Sequence, residues 1–170
     1  MSVTIVRGIP GSGKSTWVAK EFGILPRPVW PFAGMEIHEA QSYTQGAWFS
    51  TDDIHCDKDD VYKFDVKRLG EGHQSCLKHF TRYVQNVAPE VPLVVDNTGT
   101  SVAEVAPYAA LAGAFGHSLR IITIICDPTV AWKRNSHGVP FETIFRMDRR
   151  LRDETALLPP YWPHTIQPAE

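Results

Sequence analysis

Short apolar runs rich in β-branched residues alternate along this chain with longer segments in which apolar residues recur every three or four positions. The first run, residues 2–7, carries Val3, Ile5 and Val6 and stops at Gly8, which predicts a buried strand. A helix is expected from about residues 13–15 to Phe22. Periodicity then disappears over residues 23–46, where Pro26, Pro28 and Pro31 interleave with Trp30 and Phe32, so this stretch reads as an insertion or an ordered loop. Residues 47–50 form a second short strand that empties into an acidic segment. From Asp65 onward, Leu69, His73, Cys76, Leu77, Phe80, Val84 and Val87 recur near a helical period, predicting a long helix that ends before Pro89.

A third strand, Leu93-Val94-Val95, stops at Asp96-Asn97. Ser101-Val102-Ala103-Glu104 has the form of a capping box and starts a helix that should reach about Gly113. The run 119–126 is the most β-branched in the chain and is expected to be a central strand. Two further helices, 128–136 and 140–152, are separated by His137-Gly138-Val139, and the tail 157–170, with four prolines, reads as irregular. Strands alternating with helices predict an α/β fold, a three-layer sandwich with a mostly parallel sheet, whose ligand site lies at the carboxyl ends of the strands.

A chain of 170 residues is about one domain's worth, and residues 1–156 are taken as that domain. No apolar run approaches the roughly 20 residues that a membrane span needs, and a basic residue and a glycine turn stand where a secretory signal would need a long apolar stretch, so the expected location is cytoplasmic with no membrane partner. Cys56, Cys76 and Cys126 are odd in number and lack a C-x-x-C pair, which argues against a disulfide framework or a zinc ribbon. The net charge of −2 gives no global basicity, but its distribution is uneven. Residues 52–60 hold five aspartates against Lys58, and residues 133–152 hold six basic side chains against Glu142 and Asp148. Asp57, Asp59 and Asp60 are expected in a solvated loop, and His55-Cys56 fits no standard ligand spacing.

Gly8-Ile9-Pro10-Gly11-Ser12-Gly13-Lys14-Ser15 matches the phosphate-binding pattern G-x-x-x-x-G-K-[ST], and it lies between a predicted strand and a predicted helix, as the mechanism requires. Its glycines let the backbone wrap an anion, Lys14 reaches the β- and γ-phosphates of a nucleotide, and the Ser15 hydroxyl is a magnesium ligand. Pro10, Ser12 and Thr16 complete the expected nucleotide-binding stretch, with ATP and Mg²⁺ as the expected ligands.

Two carboxylate positions bear on where a phosphoryl group goes. Asp52 and Asp53 follow the second strand, so one of them caps a helix expected to begin near Ile54 and the other faces the site, with Asp52 favoured as the group that activates an attacking hydroxyl. Asp96 ends the third strand and can hold magnesium through water, bind substrate, or brace Asn97 and Thr98. His73 and His79 on the long helix are read as packing or surface residues. Arg134 precedes the helix break at His137-Gly138 and is placed for a lid, whereas Arg146 and Arg152 are read as a solvated face.

Gly-Ile-Pro-Gly-Ser-Gly-Lys-Ser-Thr-Trp (8–17), Ser-Thr-Asp-Asp (50–53), Asp-Asn-Thr (96–98) and Lys-Arg-Asn-Ser-His-Gly-Val-Pro (133–140) together resemble the polynucleotide kinase family of P-loop kinases and related small phage and cellular P-loop proteins. The resemblance implies ATP-dependent transfer of the γ-phosphoryl group to a hydroxyl of nucleic acid, DNA or RNA, with Asp52 at the base position. It also implies a lid over residues 133–140 with Arg134 as its catalytic charge. The lid is short, with only His137-Gly138 between Asn135-Ser136 and Val139-Pro140, so the transition-state arginine is sought among Arg134, Arg149 and Arg150. Asp53, Asp96, Asn97, Arg149 and Arg150 are the candidate substrate contacts. A terminal 5′-hydroxyl is the preferred acceptor. The hydroxymethyl group of 5-hydroxymethyluracil in phage DNA, a nucleoside or other small alcohol, and a non-catalytic ATP-dependent binding module are the alternatives. Trp30, Phe32 and Tyr43 of the 23–46 insertion either stack on a base or belong to a hydrophobic loop that docks on the core.

Overall fold

The structure, a computed structural model, describes residues 2–23, 47–55, 63–86 and 91–169. Five strands, β1 (Ser2–Arg7), β2 (Ala47–Phe49), β3 (Leu93–Asp96), β4 (Ser118–Ile125) and β5 (His164–Pro168), form one sheet in the order β2-β3-β1-β4-β5. Every pairing is parallel. The helices are α1 (Lys14–Phe22), α2 (Leu69–Asn86), α3 (Val102–Ala114), α4 (Pro128–Arg134) and α5 (Phe141–Thr155).

Alternation of side chains along the strands divides the core into two layers. Val3, Ile5, Phe49, Leu93, Val95 and Ile121 face one way and pack on Cys76, Phe80 and Val84 of α2 and on Val105, Tyr108 and Ala112 of α3. Val6, Trp48, Val94, Ile122 and Ile124 face the other way and meet Val18 of α1, with Trp17 and Phe22 beside it. This is the three-layer parallel architecture that strand-helix alternation predicts, with the central strands buried on both faces. A third cluster, Ile9, Cys126, Ala131, Ile144 and Leu151, fastens α4 and α5 over the carboxyl rim of the sheet.

Register sets the rim. Val6 lies opposite Asp96, and Phe49 opposite Val95, so the segments leaving β1, β2 and β3 emerge side by side. The capping box forms as its sequence requires: Ser101 Oγ accepts from Glu104 N at 3.4 Å, and Glu104 Oε2 accepts from Ser101 N at 3.2 Å.

The tail differs from expectation. Residues 164–168 are not irregular but form β5, paired to β4 with Ile121 opposite His164. A strand on the outer edge of a sheet tolerates proline, because its outward amides need no ladder partner. That tolerance is why the proline content of the tail misleads. The long helix also begins later than expected, at Leu69, because Asp65 accepts from Lys67 N at 2.9 Å and caps a separate 3₁₀ turn, Val66–Arg68. The 23–46 stretch beyond Gly23, including Trp30, Phe32 and Tyr43, and the acidic residues Asp57, Asp59 and Asp60 lie outside the described residues. Among the described residues no helix is long and apolar enough to cross a membrane.

Cys76 and Cys126 are buried and free of disulfides. Burial pushes the Cys76 thiol up to about 11, and only a thiolate is an efficient nucleophile. Iodoacetamide at about pH 8 is therefore expected to modify Cys76 far more slowly in the native protein than in denaturant. Peptide mass spectrometry reads the difference, and rapid native labelling would contradict this packing.

Candidate active site

The loop between β1 and α1 is shaped by two positive-φ glycines, Gly11 at +76° and Gly13 at +87°. Gly11 also has no room for a side chain, since a Cβ there would collide with the carbonyl oxygen of Ala131 on α4. Gly11→Ala is thus expected to destabilise the fold, with backbone strain alone costing about 1–3 kcal/mol. A lowered thermal midpoint together with weakened ATP binding checks this, and an unchanged midpoint would contradict it. Gly8 N donates to Thr98 O at 3.0 Å and joins the start of the loop to the end of β3. Ser12 Oγ is buried without a hydrogen-bond partner among the described residues.

Lys14 folds back across the loop, its Nζ donating to Ile9 O at 3.2 Å. Burial pulls its pKa below the ordinary lysine range, against the attraction of Asp96 and then of Asp52. Asp96 moves the opposite way, raised by burial against the attraction of Lys14 and the hydrogen bond from Ser15. Ser15 Oγ donates to Asp96 Oδ2 at 2.7 Å, while Asp96 Oδ1 is buried with no hydrogen-bond partner among the described residues. A hydroxyl and a carboxylate with a spare oxygen are hard oxygen donors of the kind Mg²⁺ prefers, so these residues fit that ion. Among the described residues there is no cluster of three or more His, Cys, Asp and Glu side chains suited to a metal.

The two aspartates after β2 part company. Ser50 opens the 3₁₀ turn Thr51–His55, accepting on Oγ from Asp52 N at 3.2 Å and donating its own N–H to Asp53 Oδ2 at 3.3 Å. Asp53 thereby closes a capping-box-like pair, and Asp52 lines the cleft above the loop. Asn97 holds this turn in place: its Oδ1 accepts from Thr51 N at 2.8 Å and its Nδ2 donates to Cys76 Sγ at 3.6 Å. Tyr108 OH donates to the same sulfur at 3.2 Å. The amide of Asn97 is therefore committed within the protein, although the residue borders the cleft.

The cleft has a volume of about 1050 Å³, the upper end of the ~300–1,000 Å³ usual for small-molecule sites. Residues 10–16 of the loop floor it, with Asp96 and Asn97 beside them. Arg134 and residues 136–140 form one wall. Of the arginines on α5, Arg150 lines the cleft and Arg149 does not. Arg146, read from sequence as a solvated position, does line it, as does His73. Phe64, Val66 and Leu69, exposed by 45%, 68% and 40%, make an apolar rim near Asp52.

One group that sequence reasoning passed over is Arg7. It is fully buried at the end of β1, its guanidinium has no hydrogen bond among the described residues, and burial lowers its pKa to about 10 against the attraction of Glu104 and Glu154. A charged residue inside an otherwise apolar strand, immediately before the glycine loop, was the available signal.

Comparison with known proteins bears on this geometry. The model of the family described as "AAA domain" matches residues 3–137. NEDD4-binding protein 2 of Homo sapiens is 31% identical over 159 residues, which cover 85% of this chain and 7% of the human protein, so the chain spans only a small part of that relative. Among solved structures, a gluconokinase from Sinorhizobium meliloti 1021 superposes with a TM-score of 0.51 at 14% identity, covering 99% of this chain and 82% of that one. The AvrRxo1-ORF1:-ORF2 complex with ATP gives 0.60 at 13% identity, covering 98% and 54%. Chaetomium thermophilum Kti12 in complex with ADP-AlF3 gives 0.52 at 11% identity, covering 87% and 79%. At such identities the structural likeness speaks for the fold, which is P-loop kinase-like, while the family match spans most of the chain: the protein belongs to the AAA domain family.

Proposed function

We propose that this protein is an ATP-dependent phosphotransferase that moves the γ-phosphoryl group to a hydroxyl of nucleic acid, with a terminal 5′-hydroxyl as the preferred acceptor. The observation that carries the proposal is that Asp52, in the 3₁₀ turn that follows β2, shares one cleft with the phosphate loop, Lys14 and the Ser15–Asp96 pair. Nucleotide binding needs the loop, and a second carboxylate in the same cleft is the group that activation of an acceptor hydroxyl requires. The size of the cleft supports a donor and an acceptor together, and the apolar rim of Phe64, Val66 and Leu69 suits an acceptor that carries a base.

In this mechanism the loop amides and Lys14 hold the donor phosphates, and the start of α1 adds a favourable dipole. Asp52 orients the acceptor hydroxyl and takes its proton as the hydroxyl oxygen bonds to the γ-phosphorus. The bond from that phosphorus to the β–γ bridging oxygen breaks, and ADP leaves with the electron pair. Arg134, on the segment that would close as a lid over residues 133–140, offsets charge on the migrating group. Ser15 and Asp96 would hold Mg²⁺, which when bound supplies charge neutralisation on the phosphates. Asn97 acts indirectly, by fixing the turn that bears Asp52.

A coupled assay of ADP release, run with and without a 5′-hydroxyl oligonucleotide, tests the reading. Acceptor-stimulated turnover is the expected result. ATP binding with turnover indifferent to the oligonucleotide would overturn it in favour of a binding module.

A further inference from the structure

We propose that Arg146 and Arg150 form an anion subsite that holds a phosphate group of the acceptor, so that the acceptor is a phosphate-bearing strand and not a neutral alcohol. The inference rests on the phosphoryl-transfer reading for the identity of the second ligand.

The phase of α5 comes first. Ile144 and Leu151 are fully buried and fix which side of the helix meets the core. One flank, bearing Thr143, Arg146, Met147 and Arg150, then borders the cleft. Arg146 and Arg150 are four residues apart, which places their Cβ atoms about 5–6 Å from each other on the helix surface. Two like charges at this spacing repel, and an anion between them removes the penalty.

Pairing separates these two from Arg68, Arg120 and Arg152, and lining the cleft separates them from Arg149. Arg68, Arg120 and Arg152 each hold a carboxylate at 2.8–2.9 Å, in Glu71, Glu21 and Asp148. Arg146 is exposed in the cleft and makes no ion pair or hydrogen bond among the described residues. Arg150 has only a long contact, 3.6 Å from NH2 to Glu104 Oε1, and its side chain is about half exposed. The other oxygen of Glu104 is occupied by Ser101 N and Thr100 Oγ1, so the carboxylate cannot turn fully to Arg150. An exposed pair of this kind contributes little. A phosphate, with several oxygens matched to the guanidinium fork, replaces it easily and spans both arginines.

Charge in the cleft points the same way. Lys14, Arg134, Arg146 and Arg150 line it, against Asp52, Asp96 and Glu104. Asp96 and Asp52 act on Lys14, and Glu104 faces Arg150, whereas Arg146 has no carboxylate partner among the described residues, so its charge is left for a ligand to answer. The loop and Lys14 already serve the donor phosphates. The flank of α5 is therefore assigned to the acceptor, whose hydroxyl lies at Asp52 while its next phosphate reaches the arginines.

The test compares a thymidine dinucleotide that has a free 5′-hydroxyl and one phosphodiester with the same dinucleotide carrying a neutral methylphosphonate linkage. The wild-type protein is expected to show a KM about tenfold lower for the charged acceptor, in line with the strength of hydrogen bonds to charged groups. Arg146→Gln and Arg150→Gln should each raise KM for the charged dinucleotide by about tenfold and erase the preference, with ATP affinity unchanged. Equal KM values in the wild type would overturn the proposal, as would a loss that falls on kcat for both acceptors or on ATP binding. If neither dinucleotide accepts phosphate, the transfer reading fails, and the subsite is then judged from equilibrium binding of tetrathymidylate. Binding that weakens about tenfold in either variant and falls with added salt upholds it. No binding, or binding indifferent to both substitutions, overturns it.

Discussion

Replacing Lys14 with alanine is expected to reduce phosphoryl transfer to background while the chain stays folded. Lys14 is half-buried, belongs to none of the apolar clusters and, among the described residues, donates to Ile9 O at 3.2 Å, so its removal takes little from the core. What it removes is the cation at the floor of the cleft, beside Asp96 and Asp52. Those carboxylates would then face the donor phosphates without compensation. Loss of a single preorganised charge or donor at a transferring group costs about 10²–10³ in turnover, and in the proposed mechanism the same group also positions the donor. Single-turnover transfer and a thermal melt, measured on the same preparation, check both halves. Turnover like that of the wild type would remove the phosphate loop from the mechanism.

The second large effect concerns Asp52. Asp52→Asn keeps the size and polarity of the side chain but cannot accept a proton, so turnover is expected to fall by about 10² or more, the usual contribution of a general base. ATP affinity should stay near that of the wild type. Asp53→Ala should do the reverse: its carboxylate accepts from Ser50 N at 3.3 Å, and losing such a cap costs about 0.5–2 kcal/mol of stability. Steady-state kinetics and denaturant titration of the two variants separate the roles. The opposite ranking would transfer the base role to Asp53.

Much of this site can be read from the sequence, for local reasons. The phosphate loop is contiguous, and its glycines, its lysine and its serine are each required by backbone geometry or phosphate chemistry at fixed spacing. The same holds for the Ser101–Glu104 capping box, which depends on residues three apart. The division of labour between Asp52 and Asp53 is half legible, because pattern alone shows that one of the pair caps. Which one depends on the Ser50 hydroxyl and on Asn97, 46 positions from Thr51.

What sequence missed depends on long-range packing. Arg146 and Arg149 are equivalent in a tally of charge, and only the phase of α5, set by Ile144 and Leu151 against Ile9 and Cys126, turns one to the cleft and the other away. The spacing of Ile144, Met147 and Leu151 already encodes that phase, so a helical-wheel argument would have found Arg146. β5 gave no comparable signal, since an edge strand of five residues ending in proline has neither alternation nor a β-branched run to mark it. Arg7 stood in plain view inside an apolar strand, but its meaning rests on the attraction of Glu104 and Glu154, which lie on two different helices.

The most direct measurement follows the phosphorus. A single-stranded oligonucleotide with a 5′-hydroxyl is incubated with γ-labelled ATP and Mg²⁺, then digested to mononucleotides and resolved beside an identical strand whose 5′ end is blocked. Label in the 5′-terminal mononucleotide of the open strand, with none on the blocked strand, is the result this account predicts. Labelled inorganic phosphate as the sole product from both strands, or label that passes to a free nucleoside and never to a strand, would contradict it.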